Sequence, residues 1–168
     1  MSEALEFVVR AILIGAGATL VMDVWALFLR QLGIPSMNFA LLGRWIGHLA
    51  RGRWMHESIG RSAPVKGERF IGWTAHYSIG VAFATLLLSI FGLEWARSPS
   101  LLPALGIGIV TVVAPLFVLQ PAFGAGVASS KTPAPLFNSL KSLVTHTVFG
   151  IGLFLAALAT NLLLPGPG

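Results

Sequence analysis

Two histidines lie in matching surroundings within long apolar stretches of this chain. The first is His76, in GWTAHYSIG, and the second is His146, in SLVTHTVFG. Residues at i, i+4 and i+8 of a helix share one face, and this spacing gives each histidine two small neighbours: Gly72 and Gly80 for the first, Ser142 and Gly150 for the second. Such a face lets another helix or a flat ligand approach closely, although ordinary helix packing explains glycines by themselves.

A carboxylate on a third apolar stretch is expected at the same depth as these histidines. Asp23 lies about seven residues before the end of its stretch, and His76 and His146 lie about six residues into theirs, so each is roughly 10 Å from one membrane surface. An aspartate at the centre of a membrane helix costs about 3 kcal/mol, so Asp23 should face a partner or a cavity. A bond to His76 or His146 would relieve this cost, and its role could be purely structural.

Several kinds of chemistry fit these three residues. His76, His146 and Asp23 match the two-histidine, one-carboxylate set that binds non-haem iron, and two axial histidines beside glycines would suit haem. The same residues suit a proton or substrate relay in a small transporter or channel subunit. They also suit acid–base catalysis on a lipid-soluble substrate. A structural membrane partner protein is a further interpretation, and whether the chain is an enzyme stays open.

Other polar and small residues are expected near the same membrane surface. The supporting residues of the predicted site are Gly72, Gly80, Gly150, Tyr77, Gln120 and Glu68. In the loop that follows the first apolar stretch, His48, His56 and Glu57 could close the site from below. The simpler interpretation of these three is an exposed interfacial loop.

Composition indicates which elements must position these residues. Of the 168 residues, 55% are hydrophobic and 10% are charged, whereas soluble domains carry about 25% charged residues. The absence of cysteine excludes disulfides and thiolate sites. We therefore predict an all-α, four-helix transmembrane bundle forming one domain over residues 1–168, with spans at about 6–29, 70–93, 101–120 and 140–164. Pro115 should kink or break the third span.

The charges of the loops predict how the spans are oriented. Basic residues concentrate between the first and second spans, at Arg44, Arg51, Arg53, Arg61, Lys66 and Arg69, and Lys131 and Lys141 lie at the same end. Only Arg10 and Arg97 lie at the opposite end. The positive-inside rule then places both long loops in the cytoplasm and both termini in the periplasm of an inner membrane. This placement accounts for the net charge of +5 without a nucleic-acid partner. The expected partners are the lipid bilayer and either a second copy or another membrane protein.

Two further patterns concern the architecture. Residues 37–49 have helical apolar spacing with interspersed arginines, which predicts either an amphipathic helix on the membrane surface or a structured loop packed beneath the bundle. An offset of 70 residues aligns the two histidine stretches, and ALFLRQ in the first span resembles PLFVLQ in the third. Two tandem two-span repeats in one orientation would explain both similarities.

The stretches MDVW, GRWIGH, GERFIGWTAHYSIGVAFA, QPAFGAG and THTVFGIGLF resemble a bacterial integral-membrane family designated domain of unknown function 2938. The resemblance runs from about Gly15 to Leu158, and the histidine-bearing stretches are its most specific part. It implies a small bacterial inner-membrane protein with four spans. It implies no particular reaction, so it assigns no catalytic role to any residue.

Overall fold

The computed structural model describes residues 2–164, and that part of the chain is helical with no β-strand. Its α-helices are α1 (Glu3–Gln31), α2 (Phe39–Leu49), α3 (Glu68–Arg97), α4 (Leu101–Val110), α5 (Gln120–Ala122) and α6 (Pro135–Leu163). Four segments are long and apolar enough to cross a membrane: α1, α3, Leu101–Ala122 and α6. The predicted all-α fold with four spans is confirmed, with helices that run a few residues past most of the predicted ends. The chain thus has the helices of a multi-pass membrane protein.

Helix α1 lies at the centre of the arrangement, packed between α3 and α6, while α4 packs on the far side of α6 and α2 packs on α3. The fully buried side chains between these helices include Ile14, Leu87, Leu88, Phe149 and Leu153. Large apolar side chains also cover the outside, such as Leu102 at 80% exposure. These outer faces fit contact with lipid, because lipid tails solvate apolar side chains and helices satisfy their own backbone hydrogen bonds.

The third span is broken where the sequence predicts it. Helix α4 ends at Val110, and a π-helix over Ala114–Leu119 contains Pro115 at its start. Proline has no N–H and its ring clashes with the preceding turn, so the regular α-helical hydrogen bonds cannot continue through it. The chain accommodates it with a wider turn in which the N–H of Gln120 donates to the carbonyl of Pro115. The break is confirmed, and its π-helical form is an addition to the prediction.

Helix α2 combines the two interpretations of residues 37–49. It is a helix capped at its start by Asn38, whose side chain accepts a 3.0 Å hydrogen bond from the N–H of Ala40. It also packs against the bundle at the start of α3. Gly43 and Gly72 face each other there, and a methyl group on either would collide with the backbone of the other helix. Two glycines therefore let α2 lie directly against α3.

The two long loops dock on each other at this end of the bundle. The N–H of His56 donates to the carbonyl of Ala122 at 3.0 Å, and the N–H of Ile59 donates to the carbonyl of Phe123 at 3.1 Å. Gly124, at φ +92°, lies against the backbone of Glu57 in a conformation that favours glycine. Loop 50–67 and the segment after the third span therefore form one layer beneath the helices.

Candidate functional site

Asp23 on α1 holds two side chains of α3 by hydrogen bonds. Its Oδ1 lies 2.9 Å from Nε2 of His76, and its Oδ2 accepts from the hydroxyl of Tyr77 at 2.9 Å. Asp23 lies eight residues before the end of α1 and His76 eight residues after the start of α3, or about 12 Å along each axis. The structure thus forms one of the two Asp–His pairs that the sequence proposes, at equal depth on both helices.

The Asp23–His76 pair is largely enclosed. The His76 side chain is 11% exposed and that of Asp23 is 18% exposed. The imidazole stacks on the ring of Phe39 from α2, with centroids 3.9 Å apart and planes inclined by 23°. Trp73 covers its edge with centroids 5.9 Å apart. The ring of His76 is therefore fixed by an apolar stack on one face and a carboxylate at Nε2.

The glycine face of α3 explains how three helices meet at His76. Gly72 seats the beginning of α2, while Gly80 seats α1, where an added methyl group would meet the carbonyl oxygen of Gly15 at 3.1 Å. The sequence predicts that this face of α3 contacts one neighbouring helix. In the structure the face contacts two helices, α2 at Gly72 and α1 at Gly80, and His76 lies between the two contacts.

This geometry sets the chemistry of the imidazole. A carboxylate only accepts hydrogen bonds, so Nε2 of His76 donates to ionised Asp23 and carries the ring proton. Nδ1 then presents a lone pair. No hydrogen bond within residues 2–164 occupies Nδ1, and this atom is not fully buried. A histidine oriented by a carboxylate on one nitrogen and open on the other can accept a proton or bind a ligand.

His146 lies in a separate site. Its Nδ1 is 3.1 Å from the hydroxyl oxygen of Thr111, which itself donates to the carbonyl of Gly108 at 2.8 Å. The single hydroxyl proton is used in that second bond, so Nδ1 of His146 must be the donor. The two histidines therefore carry their protons on different ring nitrogens, and His146 has no bond to Asp23.

The predicted centre that shares both histidines with Asp23 is not formed. Within the described chain, no three His, Cys, Asp or Glu side chains lie close enough together to hold a metal ion. The physical reason is the helix order. His76 faces α1 and α2, whereas His146 faces α4 on the other side of α6. His146 also lies eleven residues after the start of α6, compared with eight for His76 in α3, because α6 begins five residues before the predicted span. Sequence spacing could not give the directions of the two side chains.

The second histidine nevertheless occupies a place that parallels the first. Gly150 seats α4 much as Gly80 seats α1: an added methyl group would meet the carbonyl oxygen of Ala104 at 2.9 Å, compared with 3.1 Å to that of Gly15. Ala104 follows Gly15 by 89 positions, the offset that also aligns ALFLRQ with PLFVLQ. This equivalence of contacts favours the tandem-repeat interpretation, although the same offset places Val112 rather than an acidic residue at the position of Asp23.

Glu68 and Gln120 act outside the Asp23 cluster. Glu68 forms a two-pronged ion pair with Arg44 of α2, at 2.8 and 2.9 Å, and this pairing raises the pKa of Arg44. Glu68 thus fixes α2 to the start of α3. Gln120 donates to the hydroxyl of Ser142 at 3.3 Å, and its Oε1 is buried without a hydrogen-bond partner in the described residues.

The loop histidines form a pair of their own. His48 and His56 lie edge to face with ring centroids 5.0 Å apart, and Nε2 of His48 lies 2.9 Å from the carbonyl oxygen of Ala63. Neither ring nitrogen of buried His56 has a hydrogen-bond partner in residues 2–164. Burial lowers the pKa of His56, and the nearby charge of Arg53 lowers it further. Glu57 beside it is exposed and points to a loop cavity rather than to Asp23.

A buried charge network at the opposite end is absent from the sequence predictions. Glu6 accepts from Arg10 at 2.8 Å and from Arg97 at 2.8 Å. Arg10 is only 1% exposed and also donates to Oδ1 of Asn161 at 2.6 Å. The sequence contains a signal for part of this network, because Glu6 and Arg10 are spaced i, i+4 within an apolar run and that spacing predicts an ion pair on a helix. Arg10 is therefore a tie between α1, α3 and α6 rather than a loop charge.

The chain belongs to the family described as protein of unknown function DUF2938, whose model matches residues 12–160. The predicted family resemblance is thereby confirmed over most of the chain. Comparisons with curated proteins and with solved structures found no match.

Proposed function

We propose that this DUF2938 member is a bacterial inner-membrane protein that exchanges a proton with a small polar substrate at Asp23, His76 and Tyr77. The observation that carries the proposal is the double hydrogen bond to Asp23, whose carboxylate accepts from both His76 and Tyr77 at 2.9 Å. When Nδ1 of His76 takes up a proton, the negative charge of the Asp23 carboxylate stabilises the imidazolium that forms. The hydroxyl of Tyr77 donates to the same carboxylate and stabilises its negative charge.

The cost of placing these groups within a span supports a functional interpretation. A lone ionisable side chain at this depth needs a partner, and a single hydrogen bond between membrane helices contributes only about 0.6 kcal/mol on average. A neutral polar pair would hold α1 to α3 at less cost than an ionised carboxylate with a histidine. The arrangement is accordingly better suited to a proton site than to helix association.

Transport of the proton or substrate is a second candidate, which the third span favours. Its π-helix, between α4 and α5, begins next to Pro115 and is followed by Pro121. Interrupted helices of this kind frame the substrate sites of many transporters. Binding and transport share the Asp23 cluster and differ in whether the site opens to both sides of the membrane.

The distribution of arginines supports the orientation within this proposal, with the α2 end in the cytoplasm and both termini in the periplasm. Fusing alkaline phosphatase or a fluorescent protein to the C-terminus tests it. We expect an active phosphatase and a dark fluorescent protein in a bacterial host. The reverse pattern would overturn the orientation.

Proton transport through the Asp23 cluster is tested with purified protein in liposomes that contain a pH-sensitive dye. A potassium gradient with valinomycin drives proton entry, and the rate is compared for the unaltered protein, Asp23→Asn and His76→Gln. We expect both changes to abolish the protein-dependent rate. The matched control is Glu3→Gln, which removes an exposed carboxylate from the same helix and should keep the full rate. An unchanged rate in Asp23→Asn would overturn the proposed site, whereas no flux in the unaltered protein would overturn transport only.

A metal ion or haem iron would find one open imidazole nitrogen at this cluster, Nδ1 of His76, because Asp23 occupies the other. We therefore expect purified protein to show neither stoichiometric iron, zinc or copper nor a haem absorption band. Stoichiometric metal that is lost in His76→Gln would replace proton exchange by metal binding as the role of the site.

A further inference from the structure

The loop between α2 and α3 contains a cavity of about 540 Å³, and none of its lining residues belongs to the Asp23 cluster. Its lining residues are Arg53, Met55, Glu57, Ser58, Arg61, Ser62 and Ala63. The lining combines two guanidinium groups, two hydroxyls and one carboxylate. This set of groups is suited to an anion that carries hydroxyl groups.

The two arginines of the cavity have no carboxylate within ion-pair distance among residues 2–164. Arg10, Arg44 and Arg97 each do have one, at 2.8 Å. Arg53 and Arg61 are exposed, and their five N–H donors each are free for a ligand. Guanidinium groups match the oxygen atoms of a phosphate in pairs. The carboxylate of Glu57 repels an anion, but the two arginines outweigh it and the lining keeps a net charge of +1.

The backbone beneath the cavity is held in place from the bundle. The guanidinium of Arg44 donates to the carbonyls of Gly60 and Ser62, both at 3.1 Å. The hydroxyl of Ser62 donates to the carbonyl of Ser58 at 3.2 Å. Arg61 lies within this short turn, so its backbone is held in place while its exposed side chain is free to meet a ligand.

Apolar side chains beside the cavity indicate where its ligand comes from. Trp54 is 60% exposed and Met55 is 51% exposed, they follow Arg53 in the chain, and Met55 also lines the cavity. The carbonyl of Trp54 accepts from the indole of Trp45 at 2.7 Å, which ties this stretch to α2. Tryptophan beside arginine at the end of membrane helices is typical of the interface between lipid tails and head groups.

We propose that this cavity binds a phosphate group and that a membrane phospholipid with a hydroxylated head group, such as phosphatidylglycerol, supplies it. Arg53 and Arg61 bind the phosphodiester oxygens, and the hydroxyl of Ser58 donates to them. Glu57 accepts from the glycerol hydroxyls of the head group. Trp54 and Met55 lie among the upper parts of the acyl chains. This site is independent of the proton site proposed above.

Native mass spectrometry of the detergent-solubilised full chain tests the proposal. Phosphatidylglycerol and phosphatidylcholine with identical acyl chains are titrated against the unaltered protein and against the double variant Arg53→Gln/Arg61→Gln. The matched control is Arg51→Gln/Arg69→Gln, because it removes two exposed arginines that do not line the cavity. We expect the cavity variant to lose at least tenfold in phosphatidylglycerol affinity and the control variant less than twofold. Phosphatidylcholine should bind weakly to all three.

Equal losses in the two double variants, or none in either, would overturn the cavity as a specific site. A competition experiment with inorganic phosphate distinguishes a phospholipid head group from free phosphate as the natural ligand. We expect millimolar phosphate to leave bound phosphatidylglycerol in place. Displacement of the lipid by free phosphate at that concentration would overturn the phospholipid as the source. All variants alter exposed side chains, and an unchanged melting temperature confirms that each is folded.

Discussion

Nε2 of His76 lies 2.9 Å from Oδ1 of Asp23, across the contact between α3 and α1. The other carboxylate oxygen accepts from Tyr77, the neighbour of His76 in the chain. Adjacent helical residues point about 100° apart, so one carboxylate bridges two side chains that a helix alone would separate. This bridge joins the two helices and fixes the protonated nitrogen of the imidazole at the same time.

Tyr77 offers a direct report on this bridge, because it is the one tyrosine in the chain. Protein labelled with ¹³C at the phenolic carbon gives a single NMR signal from that residue. We expect Asp23→Asn to move this signal, because a charged acceptor is replaced by a neutral amide that can accept at one atom only. Glu57→Gln, which alters an exposed loop carboxylate, should leave it in place. An unchanged chemical shift of Tyr77 in Asp23→Asn would contradict the hydrogen bond between the two side chains.

The packing of α2 on α3 predicts that Gly72 tolerates no side chain. We expect Gly72→Ala to lower the melting temperature strongly, since its methyl group would collide with the carbonyl of Phe39. Gly106→Ala is the control in a helix where an added methyl group meets no atom within 4 Å. That change should be neutral or stabilising by up to about 1 kcal/mol, from helix propensity. Equal effects of the two changes would argue against the close approach of α2.

The network around Glu6 predicts that this carboxylate stabilises the contact of α1 with α3 and the buried guanidinium of Arg10, which reaches α6. Glu6→Gln leaves the buried guanidinium of Arg10 without a countercharge, and breaking a buried ion pair of this kind costs about 3 kcal/mol. Thermal unfolding in detergent should show a large decrease in stability. Glu3→Gln, one turn earlier and exposed, should change stability by less than about 0.5 kcal/mol. A Glu6→Gln protein as stable as the Glu3→Gln protein would contradict the network.

His56 predicts a stability that depends on pH. Burial lowers its pKa below the ordinary value of 6.5, so the folded state takes up its proton later than the unfolded state on acidification. The contribution of His56 is therefore complete above about pH 6.5 and is lost as the pH falls from there towards the lowered pKa, at up to about 1.4 kcal/mol per pH unit. The check is the slope of unfolding free energy between pH 7.5 and 5.5. His56→Gln should flatten this slope, and an unaltered slope would contradict the burial of a neutral ring.

Composition and hydropathy were sufficient to predict the number of spans, their approximate bounds and the break at Pro115. These features depend on local properties: about 20 apolar residues cross a bilayer, and proline interrupts a helix wherever it lies. The depth of Asp23 and His76 followed from counting residues along two helices. Their pairing was one of two that the sequence allowed.

The directions of side chains around each helix could not be obtained in this way. His76 and His146 have equivalent spacing, yet one meets Asp23 and the other Thr111, because the order in which helices pack is set by non-local contacts. Glu68 was expected at the site and instead binds Arg44 of α2. Nothing in the local sequence of either residue indicates that partnership, which depends on how the intervening loop folds.

The most direct test of the proton site is the ¹⁵N NMR spectrum of histidine-labelled protein, with the signals of His76 identified by their loss in His76→Gln. At pH 8 we expect Nε2 of His76 to carry the proton and Nδ1 to be bare, in contrast to His146. Asp23→Asn should abolish the bias between the nitrogens. A proton on Nδ1 at pH 8, or a bias between the nitrogens that persists in Asp23→Asn, would contradict proton exchange at this site.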